Sequence, residues 1–279
     1  MEYRLSRRED LPQLEILSRL CFGEEPEFCR LLYDRRWTEE NCLVAQGPAG
    51  PVGFVFALPF TAVAGEKSIP AAYVYSLGVH PDQRDRGVGA GLMNFYWQTL
   101  RERGVSLSVL VPAEGSLFGY YRRLGYDAFS SLAWGFVPSC LREEPPLALR
   151  PASPEEYGET RERLLADLVH GVWDREALAY QKQFSGLSDG GLYLLEEGKG
   201  CAVAEVYDGF LHVKELLAPP ECLPRAASAL SRAFPGWRME VRTRPDWGGF
   251  LDLPVREFAM ARWAGEPLEG PAYFGLSLD

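Results

Sequence analysis

The stretch that most constrains this chain runs from Tyr73 to Met93: Tyr-Val-Tyr-Ser-Leu-Gly-Val-His-Pro-Asp-Gln-Arg-Asp-Arg-Gly-Val-Gly-Ala-Gly-Leu-Met. A β-branched and aromatic run enters a turn with glycines at 87, 89 and 91, and an apolar-periodic segment, Val88 to Arg103, follows. Period and composition predict strand, glycine-rich turn, helix, with Gly104 at the C′ position. The first turn of a helix carries unpaired N–H groups and the positive end of the dipole. Glycines there remove side chains that would hold an anion away, and Arg84 and Arg86 supply charge. The turn is therefore expected to cradle a pyrophosphate. A Walker loop is excluded because no Lys-Ser/Thr follows the glycines, and a Rossmann fingerprint because Gly87-x-Gly89-x-Gly91 lacks its third spacing.

The flanking sequence supplies the rest of an α/β domain. Leu11 to Leu20 has helical spacing, and Phe28 to Trp37 is predicted as a second helix. Asn41–Ala45 and Val52–Leu58 read as a hairpin around Gly47-Pro-Ala-Gly50. Val105–Val111 is predicted as a buried strand, Ser116–Leu124 as a short helix stopped by Gly125, and Ser131–Val137 as a closing strand. Five prolines between Pro138 and Pro154 suggest a linker.

After the linker the same coarse order recurs. Two helices (155–169, 175–184), a hairpin (192–196, 201–207), an Asp208-Gly209 turn into a strand to Leu217, a helix (223–234) and strands at 238–242, 256–263 and 272–278 are predicted. The expected division is 1–137, a linker at 138–153, and a degenerate copy at 154–279. Ala218-Pro-Pro-Glu-Cys-Leu-Pro stands where the glycine turn would be, and proline removes donors there. The copy should bind no anion; walling off an acceptor site or forming a homo-oligomer contact are its expected roles.

Composition narrows the partners. The net charge of −10, from 29 basic and 39 acidic residues, argues against nucleic acid and is compatible with a cationic substrate. No apolar segment follows the charged N-terminus, and Val52–Ala64 is broken by Pro59, so no membrane span is expected and the cytoplasm is the default compartment. The six cysteines form no CxxC pair and the three histidines no ligand spacing, so buried thiols and no metal are expected.

Arg84-Asp-Arg-Gly-Val-Gly89 has the form RxxGxG, and Leu77-Gly-Val-His-Pro81 precedes it. A second block, Val109-Leu-Val-Pro-Ala-Glu-Gly-Ser-Leu-Phe-Gly-Tyr-Tyr-Arg-Arg-Leu-Gly-Tyr126, lies downstream. Together these resemble the two halves of the GCN5-related N-acetyltransferase (GNAT) signature, over residues 1 to about 137. The resemblance implies a GNAT fold, a mixed central sheet with two splayed strands, and acetyl transfer from acetyl-coenzyme A to a small-molecule or peptide amine. A non-catalytic acyl-CoA sensor is the alternative. It further implies that Leu77, Gly78 and Val79 line the pantetheine arm, that backbone from Arg84, Asp85, Arg86, Gly87, Val88, Gly89 and Ala90 holds the pyrophosphate, and that Ser116 touches the arm. Tyr121 matches the family tyrosine beside the coenzyme sulfur, an acid for the leaving thiolate; packing with Phe118, Tyr120 and Tyr126 is its other reading. The glutamate that some members use as base is replaced by Tyr73.

Ala113–Tyr121, the degenerate second domain and the aromatic C-terminal segment are similar to enhanced-intracellular-survival type acetyltransferases. In those the terminal carboxylate serves as base, which points here to Asp279; a solvated terminus is the other reading. Their third domain is not expected within these 279 residues, so their aminoglycoside substrates are not carried over. Glu24, Glu25, Glu27 and Phe28, expected in the loop between the first two helices, are candidates for contacting a cationic amine; a solvated acidic loop is the alternative.

Overall fold

The computed structural model describes residues 1–278 of the 279. In chain order it contains β1 (Glu2–Leu5), α1 (Leu11–Phe22), α2 (Pro26–Arg35), β2 (Cys42–Gly47), β3 (Gly50–Ala64), β4 (Lys67–Val79), α3 (Val88–Glu102), β5 (Leu107–Leu110) and α4 (Leu117–Arg123). Then follow β6 (Asp127–Phe136), β7 (Leu149–Pro151), α5 (Pro154–Leu165), β8 (Val169–Val172), α6 (Arg175–Gly186), β9 (Gly191–Leu195), β10 (Gly200–Tyr207), β11 (Phe210–Leu217), α7 (Leu223–Ala233), β12 (Arg238–Thr243), β13 (Val255–Trp263) and β14 (Ala272–Tyr273). The fold is mixed α/β, as expected. Three short strands, β1, β7 and β8, were not expected. The predicted strand 272–278 is real only at its first two residues, which pair with β8.

The chain packs as two compact units. One comprises Met1–Ala62, Ser68–Ala128 and Ala259–Pro267; the other comprises Val63–Lys67, Phe129–Phe258 and the C-terminal segment from Leu268. The division cuts at Ala128/Phe129 and Phe258/Ala259, among other places, and the 138–153 segment expected as a linker lies within the second unit. Most of β6, expected to close the first unit, counts with the second, where Ala133–Phe136 pair with β12. In return, Met260–Trp263 of β13 pair antiparallel with β5 in the first. β5 is only four residues long, and an apolar strand from either half of the sequence can complete it.

In the first unit the sheet order is β1-β2-β3-β4-β5, with Met260–Trp263 beyond. Alternation along β3 sorts its residues: Val55 and Ala57 join Val88, Leu92, Tyr96 and Trp97 of α3 on one face. Phe54 and Phe56 turn the other way, toward Phe22 of α1 and Tyr33 of α2, with ring centroids 6.2 and 5.7 Å apart respectively. Burying both faces provides the main stabilisation of this unit. In the second unit β6-β12-β11-β10-β9-β7 form the sheet, with β11 and β12 parallel.

Candidate active site

The site is set by what happens to β4. Its parallel pairing with β5 covers three residue pairs, Ala71–Tyr73 against Leu107–Val109, yet β4 runs on to Val79. Ser76 inside it adopts φ 52°, a left-handed conformation that breaks the two-residue alternation. Before it, Ala72 and Val74 face α3; after it, Leu77 and Val79 do. Gly78 then faces the other way, where a Cβ would lie 2.7 Å from the Phe54 ring and 3.3 Å from Cys21 Sγ. The strands thus part beyond Tyr73 and Val109.

The turn that follows is built from local conformation. His80 N–H donates to the Val52 carbonyl (2.9 Å), and His80 Nδ1 accepts from Asp82 N–H (3.2 Å). Asp85 (φ 59°) and Gly87 (φ 77°) are left-handed, and Gly87 is the N-cap of α3. The first intrahelical bond runs from Gly91 N–H to the Gly87 carbonyl, 2.9 Å, which leaves the N–H groups of Val88, Gly89 and Ala90 at the open end of the helix. Arg84, Asp85 and Arg86 are exposed. Arg84 Nε donates to the Val79 carbonyl (3.2 Å), and the Cys21 thiol reaches the same oxygen at 3.4 Å.

The three glycines answer to three different demands. Gly87 has open space around it and is needed for its positive φ. At Gly89 a Cβ would stand 3.0 Å from Tyr120 Oη. At Gly91 it would stand 1.9 Å from Tyr3 Oη. Gly91 therefore admits Tyr3 of β1 and does not clear a path for an anion, a correction to the expectation from sequence. Tyr3 stacks on Phe95 with centroids 6.4 Å apart.

Across the split, α4 carries Tyr121. Its ring is 8% exposed and packs edge-on against Tyr120 (5.1 Å) and Tyr126 (6.1 Å). Its hydroxyl has no hydrogen-bond partner among the described residues. Burial, and secondarily Tyr120, pushes its pKa well above the ordinary phenol value. Tyr126 is held differently: its hydroxyl pairs with Ser108 Oγ (2.7 Å), which also pairs with Tyr96 (3.1 Å). Ser116 is exposed and donates to Glu114 Oε2 at 3.3 Å. Arg262, from the inserted strand, lies 4.6 Å over the Trp97 ring and would be 3.3 Å from a Cβ at Gly125. It bridges α3 and the end of α4; only its position 137 residues beyond Gly125 in sequence hid it.

The acceptor candidates divide. Glu27 and Phe28 lie in the first turn of α2 and not in the loop, because Pro26 starts that helix. Glu25 is its N-cap and is exposed. Glu24 is half-buried, accepts from the Cys29 thiol (3.3 Å) and has its pKa raised, chiefly by burial. Burial, with Glu24 next, pushes Cys29 up to about 12. Tyr73 is buried, 6.1 Å from the Tyr75 ring. Asp279 lies outside the described residues; Leu276, Ser277 and Leu278 before it are buried. All six cysteines are free thiols. Among the described residues no cluster suited to a metal ion occurs, and no helix is long and apolar enough to cross a membrane.

The family model described as "Acetyltransferase (GNAT) domain" matches residues 2–129. A mycothiol acetyltransferase of Propionibacterium freudenreichii subsp. shermanii is 31% identical over 145 residues, covering 48% of this chain and 45% of that protein. The matched region is thus less than half the length of this relative. Among solved structures, a GCN5-related N-acetyltransferase from Anabaena variabilis superposes with TM-score 0.75 at 17% identity, over 95% of this chain and 73% of that one. Eis1 from Mycobacterium abscessus superposes with TM-score 0.68 at 17% identity, over 94% and 74%. At such identities these likenesses speak to the fold.

Proposed function

We propose that this protein, whose residues 2–129 match the acetyltransferase (GNAT) domain model, transfers an acetyl group from acetyl-coenzyme A to a primary amine by direct attack in a ternary complex. The observation that carries this reading is the early end of β4–β5 pairing, directly before the Gly87-capped mouth of α3. In this reading the pantetheine arm occupies the split, using backbone at Leu77 and Val79, with Gly78 turned away and Ser116 on the opposite wall. The pyrophosphate rests on the N–H groups from Arg84 to Ala90. Val88 anchors the helix from the core side, while Gly89 lets Tyr120 close over the turn.

The reaction needs a C–N bond to form and a C–S bond to break. The acceptor amine must shed a proton, and the departing thiolate must gain one. Tyr121 supplies the second. Its raised pKa keeps it protonated at neutral pH, and its unpaired hydroxyl is available as a donor. No carboxylate stands at Tyr73, so the amine's proton leaves through water or a carboxylate from elsewhere, with Asp279 as the candidate in the sequence. Glu24, half-buried beside the α2 N-terminus with exposed Glu25 and Glu27, provides negative charge for a cationic acceptor, and Phe28 an apolar wall.

Thiol release measured over a panel of amines tests the proposal; release with no amine of the panel, alongside tight coenzyme binding, overturns it. That outcome would favour the sensor reading, for which the tyrosine at position 73 is the supporting observation. Calorimetry of Gly89→Trp against the unsubstituted protein tests the coenzyme site itself, and equal affinity would remove it.

A further inference from the structure

One face of the second unit's sheet carries a feature that acetyl transfer does not use. On β12, Arg238 lies 4.4 Å over the Phe136 ring of β6 and 5.7 Å from Phe210 of β11. Four residues on, on the same face of β12, Arg242 lies 4.8 Å over Trp134, and Arg256 of β13 approaches the same ring at 5.5 Å. The sheet register explains the alignment, since Trp134 pairs with Arg242 and Phe210 with Arg238. Stacking covers the flat faces of a guanidinium and leaves its edge donors free.

The chain holds ten more acidic than basic residues, 39 against 29, yet the acid nearest Arg242, Glu240, has its carboxyl held below the ordinary range chiefly by His212 and only weakly by the Arg242 guanidinium. Arg242 Nη1 is buried with no hydrogen-bond partner at all. Glu240, the acid between the two β12 arginines, is engaged by His212 Nδ1 at 3.1 Å. Arg238 and Arg256 are exposed, and Phe136 is 41% exposed. An Arg-and-aromatic surface is the composition of an interface core, not of an idle acidic surface.

We propose that this face docks an acidic polypeptide segment of a partner protein, its carboxylates meeting the arginine edges in forked pairs and its backbone lying over Phe136 and Phe210. Carboxylates supply the acceptor that Arg242 Nη1 lacks. A polyphosphate backbone fits less well, because three arginines within a chain of net charge −10 neutralise few phosphates. The inference does not depend on the acetyl-transfer reading.

The test is fluorescence anisotropy of a dye-labelled peptide of ten glutamates against the full chain at low salt, about 50 mM. Saturable binding is expected, weakened at least tenfold in Arg238→Glu with Arg256→Glu, and about threefold when both are changed to lysine, which keeps charge but loses the planar stack. Circular dichroism melting verifies that both variants stay folded, and Arg242→Met provides a second loss variant independent of charge reversal. The proposal fails if the unsubstituted chain does not bind the peptide, or if the reversal variant binds it equally. It also fails if a ten-nucleotide oligothymidylate binds more tightly. Sedimentation showing a self-association that the reversal abolishes would assign the face to a second copy and overturn it as well.

Discussion

The two units use the same device and finish it differently. In the first, β4 leaves its parallel partner after three residue pairs and leads into a turn with left-handed Asp85 and Gly87. In the second, β11 leaves β12 after four, Phe210–Val213 against Arg238–Val241, and leads into Ala218-Pro219-Pro220. There the parting strands are tied: Thr243 Oγ1 donates to the Leu216 carbonyl at 2.7 Å. Glu215, fully buried, accepts from Tyr157 and from Arg161 Nε (2.9 Å), and Arg161 Nη1 holds the Gly171 carbonyl (2.6 Å). Backbone topology creates the split, and side chains decide whether it stays available.

That contrast can be broken most forcefully in the second unit. Glu215→Ala leaves the buried Arg161 with only the longer contact to Glu162 (3.4 Å) as an ion pair, and should destabilise the protein by about 3–5 kcal/mol in urea unfolding. Arg161→Met combined with Glu215→Leu should recover most of the loss, since an apolar pair of similar volume carries no desolvation penalty. A double variant as unstable as the single one would mean the ion pair is not what closes this unit.

In the first unit the largest expected effect is on turnover. Tyr121→Phe should lower kcat by about 100-fold, within the range for a positioned acid, with little change in KM for acetyl-coenzyme A. The phenol's pKa is raised, so it remains protonated through the ordinary tyrosine range. A kcat that declines with an apparent pKa below about 9 would have to be assigned to another group. The same shift has a stability consequence: the folded state holds the proton more tightly than the unfolded chain, so this contribution is intact below about pH 10 and falls as pH rises further.

Smaller effects separate the glycines. Gly91→Ala drives a methyl group into Tyr3 and should cost about 1–3 kcal/mol in thermal or urea unfolding. Gly87→Ala meets no neighbour and should cost about 1–2 kcal/mol through its positive φ alone. Pairing each with Tyr3→Ala distinguishes them, because only the Gly91 variant should be relieved. Smallest of all, Arg262→Met should remove about 1 kcal/mol of stacking on Trp97. Arg262→Lys should restore part of it; identical losses in both would assign Arg262 to packing by its stem.

Much of this was legible in the chain. The run from Tyr73 to Met93 announced its strand, turn and helix, and the Asp208-Gly209 turn forms with both residues left-handed. Tyr121 is singled out through the resemblance of Val109–Tyr126 to the second half of the GNAT signature, not by local pattern. Less legible were contacts that join distant segments. Nothing near Gly91 hinted at Tyr3, nothing near Gly125 at Arg262, and Ser76 carries no mark of its positive φ.

Sequence by itself determined the local geometry, because helix and strand periods, proline-started helices and left-handed glycines depend on residues within a few positions of one another. Tertiary structure alone decided which strands complete which sheet. A four-residue apolar strand such as β5 accepts any partner of matching pattern, so the neighbour it takes, Met260–Trp263, follows from the packing of the whole chain. The same holds for the two splits: both are written as parallel strands that part, and only side chains arriving from other elements leave one free and seal the other.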